Sequence, residues 1–161
     1  MLEPWKDFYV AVAGAASAMA GLVFVALSIN LTRILTVPGL PTRGAEAIIL
    51  PSAALLASLI GLIPNQSEQT FGLELGAVGL IAWGVPVAFQ IAAARAKYYQ
   101  TRGRLLVRVV LHQVATVPLL LGSALMLNSA AEGLYWLAAG IVLALVVGLQ
   151  NAWVLLVEIM R

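Results

Sequence analysis

The sequence predicts an all-α, polytopic membrane protein: one domain over residues 1–161, folded as a five-helix transmembrane bundle. Three observations predict it. Apolar residues make up 62% of the chain and charged residues 10%, against roughly 25% charged in ordinary soluble domains. Five apolar runs of 19 to 24 residues divide the chain. The basic residues also fall on one side of the connections those runs imply, as a membrane topology requires.

The runs cover residues 8–31, 45–63, 71–94, 105–127 and 134–157. About 20 residues at ~1.5 Å rise cross a ~30 Å hydrocarbon core. No strand-like alternation appears, and lipid leaves backbone amides without partners, so helices are the expected solution. In the first run, ASAMAG (residues 16–21) has the small residues of a cleavage site. The apolar stretch nevertheless continues to Leu31, and Glu3 and Asp7 outnumber Lys6 ahead of it, so a retained helix is expected. The second run is the shortest and carries Glu46 near its start. Pro38, Gly39 and Pro41 mark the first connection as a turn-rich loop. Short polar loops, PNQSEQT and NSAAEG, follow the second and fourth runs. Pro51, Pro86 and Pro118 fall inside the second, third and fourth runs, where each removes a backbone donor and can bend its helix.

Eight of the nine basic residues lie on one side: Arg33, Arg43, Arg95, Lys97, Arg102, Arg104, Arg108 and Arg161, with Lys6 alone opposite. The positive-inside rule then places the N-terminus outside and the C-terminus in the cytoplasm. This orientation decides how the stretch RAKYYQTRGRLLVR (residues 95–108) is read. Alone it looks like a nucleic-acid arm; between two apolar runs it is a cytoplasmic hairpin, with no nucleic acid expected. Arg95, Lys97, Arg102, Arg104 and Arg108 are assigned to anionic lipid headgroups, each worth about 1 kcal/mol near the surface. Trp5, Phe8 and Tyr9, with Tyr135 and Trp136, mark the opposite interface as an aromatic belt.

Small residues recur four apart. Gly14 with Ala18, Ser17 with Gly21, and Gly140, Ala144 and Gly148 each form a stripe on which two helix backbones can approach closely. Packing within one chain and a homo-oligomer seam both satisfy that spacing. Two helical hairpins also align weakly, through Glu46/Pro51 with Gln113/Pro118 and Gly72/Gly79 with Gly133/Gly140; one helix plus a duplicated hairpin and a chance match of apolar residues both account for it.

The polar groups in the spans gather towards the cytoplasmic half: Asn30, Glu46, Gln90, His112, Gln113, Gln150 and Asn151. One reading makes them inter-helix hydrogen bonds; the other makes them a water-filled vestibule with Glu46 and His112 as its titratable members. Glu46 can pair with Arg43 or Arg108. The chain has no cysteine and one histidine, so thiol chemistry and multi-histidine metal sites are excluded within one chain. No nucleotide, metalloprotease or nucleophile-elbow pattern occurs. No catalytic residue, metal or cofactor is therefore expected, and the chain is not read as an enzyme.

The opening WKDFYVAVAGAASAMAGLVFVALSINLTRIL resembles the start of small multi-span bacterial inner-membrane proteins, some labelled modulators of the FtsH protease. The resemblance covers about the first 45 residues and implies an inner-membrane location. Two functions are expected: a homo-oligomeric ion channel or solute conduit, or a non-conducting regulator or scaffold of a partner membrane protein.

Overall fold

The computed structural model describes residues 3–95 and 102–158. Lys97 and Arg161 lie outside them, as do the side chains of Arg102 and Arg104. The chain is all-helical. A 3-10 turn at Glu3–Trp5 leads into six α-helices: α1 Lys6–Ile29, α2 Leu31–Thr36, α3 Leu40–Gly61, α4 Glu68–Arg95, α5 Arg102–Leu127 and α6 Gly133–Glu158. All except α2 are long and apolar enough to cross a membrane.

The helix ends follow from local chemistry. Asn30 interrupts the first helix, and its side-chain amide donates back to Ala26 O at 3.0 Å. The chain then forms α2, which the sequence reading placed inside a loop. A turn at Pro38-Gly39 starts α3; Gly39 has φ 84°, a left-handed conformation that glycine adopts without a Cβ penalty. Ser67 caps α4 by accepting from the Thr70 N–H at 3.1 Å. The end of α5 closes as a Schellman motif: Ser129 takes φ 55°, Ala130 N–H donates to Leu125 O and Ser129 N–H to Met126 O. The real helices begin three to five residues before the expected apolar runs at α3, α4 and α5. Polar first turns are cheap at a helix start, and hydropathy does not register them.

Helices α3 to α6 form a ring in which each packs on the next and α6 returns to α3. Across the ring, α3 faces α5 and α4 faces α6. Helix α1 lies outside, mainly against α3. The helix ends that carry Arg33, Arg43 and Arg95 form a basic end; the ends that carry Glu3, Glu68 and Glu132 form an acidic end. Towards the acidic end the core is apolar: Phe71, Leu75, Leu119, Met126, Leu137 and Ile141 pack with Ala16, Ala54 and Ala57. Leu50, Ala115, Ala144 and Val147 fill the middle.

Glycine sets the helix spacing. A Cβ at Gly122 falls 2.7 Å from the Leu137 backbone nitrogen, and one at Gly140 falls 2.7 Å from that of Leu119, so α5 and α6 touch backbone to backbone. The glycines that align between the two hairpins do not occupy equivalent places. Gly72 and Gly79 pack on α5, the next helix in the chain; Gly133 and Gly140 pack on α5, the preceding one. The expected duplication does not extend to the packing.

The aromatic belt also needs one correction. Trp5 meets Tyr135 edge-on at 5.1 Å near the acidic end. Tyr9, however, is fully buried, with its ring against Phe71 and over Gly61. It fastens α1 to the bundle instead of marking a surface.

Candidate functional site

The polar residues singled out in the sequence separate into three groups. Glu46 on α3, Gln90 on α4 and His112 on α5 are buried, and Gln113 is half-buried beside them. Asn30 is occupied by its own helix. Gln150 faces outward and Asn151 is half-buried on α6. The expected layer therefore contracts to a cluster on three helices.

Its centre is an ion pair that spans the ring. Arg108 Nε donates to Glu46 Oε2 at 2.6 Å. Arg108 was expected among the headgroup-facing cations; it is instead 9% exposed, and Glu46 is 4% exposed. The reason is positional. Both residues sit six positions into their helices, about 9 Å along each axis, and their helices face each other across the ring. An arginine at that depth meets a carboxylate before it meets solvent. Arg95, at the end of α4, remains exposed.

Two further groups act on the carboxylate: Gln90 from α4, and Arg43 from the preceding turn of α3. Among the described residues, Glu46 Oε1 and Gln90 Nε2 are buried and make no hydrogen bond within 3.5 Å. One is an acceptor and the other a donor, on neighbouring helices.

The second half of the cluster joins α4 to α5. His112 Nε2 lies 3.2 Å from Trp83 O, so with its proton on Nε2 the ring donates to that carbonyl. Pro86 follows three residues later; the carbonyl it leaves without an N–H is that of Ala82, next to Trp83. The Trp83 indole N–H donates to Gln113 Oε1 at 2.9 Å. Thr116 Oγ1 donates to His112 O at 2.8 Å and is fully buried. Trp83 was missed in the sequence because an indole in an apolar run reads as core or interface. Its polar role becomes visible only when α5 packs beside it.

Among the described residues, the cluster meets an apolar filling on its inner side. Above Glu46, the ring axis is filled by Leu50, Ala115, Ala144 and Val147, with bulkier apolar residues beyond. Among the described residues, no three of His, Asp or Glu gather where a metal could bind. A cavity of about 500 Å³ lies at the opposite, acidic end, between Glu3, Lys6 and the turn at residues 61–68.

The two small-residue stripes have opposite fates. Gly140, Ala144 and Gly148 on α6 are buried; the two glycines meet Leu119, and Met19 with Pro51. Gly14, Ser17, Ala18 and Gly21 on α1 are exposed. A Cβ at Gly14 or Gly21 meets nothing within 4 Å. At ~100° per residue these four lie with Val25 and Ser28 inside an arc of about 100°. The buried residues Tyr9, Val12, Ala16 and Val23 lie on the other side of α1.

Comparison with protein-family models, with curated proteins and with solved structures finds no match.

Proposed function

We propose that this chain is a multi-pass membrane protein that works by helix–helix association through α1: a non-enzymatic, self-associating scaffold. In the same reading it sits in a bacterial inner membrane, with its N-terminus outside and its C-terminus in the cytoplasm. The observation that carries the proposal is the unequal burial of the spans. Only 17% of the most apolar stretch of the first span is buried, against 56% for α3. Its open side also carries small residues at four-residue spacing. In lipid, where apolar burial alone drives little association, close backbone approach supplies the attraction. Anionic headgroups at the basic end, with Arg95 and the arginines near the start of α5, orient the assembly.

The test uses the absence of native cysteine. Ser17→Cys in native membranes is expected to yield a disulfide-linked dimer of this chain on mild oxidation. Gly21→Leu in the same background is expected to abolish it. A chain that stays monomeric at every protein-to-lipid ratio refutes self-association, and a consistent adduct of foreign mass assigns the face to a partner protein.

A conduit is the second reading, and one observation favours it: Ser17 and Ser28 share the open stripe of α1. Because the ring axis is filled, such a path runs between copies. Conductance in liposomes that contain the cross-linked dimer supports this reading; sealed liposomes leave the scaffold.

A further inference from the structure

The Glu46–Arg108 pair has a geometry that structural glue does not require. Most inter-helix contacts in the ring join neighbours. This one joins α3 to α5, two helices on a diagonal, at the basic mouth of the bundle. Just past it lies the apolar plug of Leu50, Ala115, Ala144 and Val147. Among the described residues, the pair therefore bridges the mouth as a strut.

We propose that Glu46 is a proton-binding site that latches the basic mouth of the ring. A proton added to the carboxylate removes its charge and with it the attraction that holds Arg108 across the diagonal. Arg108 keeps its own proton, since guanidinium does not deprotonate in proteins. Its long side chain then turns towards the basic end and the headgroups about two turns away. The mouth between α3 and α5 opens to water as far as the apolar plug.

The surroundings accommodate both states. Glu46 Oε1 is the oxygen that Arg108 Nε does not hold, and it is buried on the side of Gln90, so it is the oxygen available to a proton. Gln90, beside the carboxyl group on α4, has an amide nitrogen that donates to a carboxylate and an amide oxygen that accepts from a carboxylic acid. Among the described residues, the charged groups that act on Glu46 are Arg43 on its own helix and Arg108 on α5, and His112 lies beside Arg108. Helix α4 contributes the neutral Gln90, and the described α6 residues packed on α3 include the apolar Ala144 and Val147, with Leu50, and Ala152 and Leu155, with Ala47. His112 is committed to the Trp83 carbonyl and lies one turn beyond Arg108. The latch therefore rests on Glu46.

The experiment places a single cysteine at Ala115, fully buried on α5 at the near edge of the apolar plug beyond the latch. The full chain is reconstituted in lipid nanodiscs, where both faces meet a soluble maleimide. A second chain carries Ser129→Cys in the exposed turn after α5; its labelling rate corrects for the pH dependence of thiolate chemistry. The ratio of the two rates is expected to rise at least tenfold between pH ~8 and pH ~5, since each pH unit shifts a one-proton equilibrium by up to about tenfold. Glu46→Gln is expected to give the high ratio at both pH values, and His112→Gln to keep the full response. A flat ratio overturns the proposal. So does a Glu46→Gln chain that stays sealed or still responds to pH, or loss of the response in His112→Gln. If Glu46→Gln does not fold, the pH series in the unaltered background and in His112→Gln decides alone. None of these outcomes depends on whether copies associate through α1.

Discussion

Helices α6 and α1 carry the same small-residue spacing and use it oppositely. On α6, Gly140 and Gly148 are closed over by neighbours of the same chain. On α1, Gly14 and Gly21 face outward with nothing near them. The spacing signals that a close approach is feasible, and the rest of the bundle decides who makes it. In the ring, the approaches are supplemented by an ion pair and by two bonds between Trp83 and α5. Helix α1 is held more lightly, by an apolar face and by Tyr9 seated over Gly61.

Substitutions can break this contrast, and their effects should descend from ring to periphery. Glu46→Ala breaks the buried pair that joins α3 to α5, and about 3–5 kcal/mol of stability should be lost. Denaturant unfolding in micelles, followed by circular dichroism, measures it. Replacing both partners by apolar residues, Glu46→Met with Arg108→Leu, should recover most of that loss, because neither charge is then buried.

Gly140→Leu should cost about 3 kcal/mol, since its Cβ meets the Leu119 backbone nitrogen, which cannot move alone. The same assay reads it. Gly61→Ala should cost about 1 kcal/mol. Its Cβ meets the Tyr9 ring at 2.8 Å, and the ring can shift where a backbone cannot. Its sharper signature should be loosening of α1, seen as faster hydrogen exchange there than in α5. Gly21→Leu should leave ring stability within about 0.5 kcal/mol, as surface substitutions usually do. Its effect should appear only as loss of the Ser17→Cys cross-link. A large stability loss at Gly21, or none at Gly140, reverses the contrast.

Much of the fold was legible in the sequence, because hydropathy over ~20 residues is a sum and small errors cancel. All five expected runs became helices. What failed was local. Helix α2 hid behind the Pro-Gly signal that follows it, and Tyr9 was assigned to a belt that its neighbours remove it from. The candidate site was only partly legible. Glu46 and His112 stood out because a titratable group in an apolar run is visible without a structure. The pairing of Glu46 was left open between Arg43 and Arg108, and Arg108 was also counted with the headgroup arginines. Trp83 gave no signal at all.

The sequence by itself determined the helical class, the number of long apolar helices and the division into basic and acidic ends, since each depends on composition along the chain. Only the tertiary structure decided that Arg108 turns inward, that one small-residue stripe is filled and the other left open, and that the ring axis is closed. Those outcomes depend on which helix faces which. Contacts between residues far apart in the chain set that arrangement, and a one-dimensional pattern does not encode it.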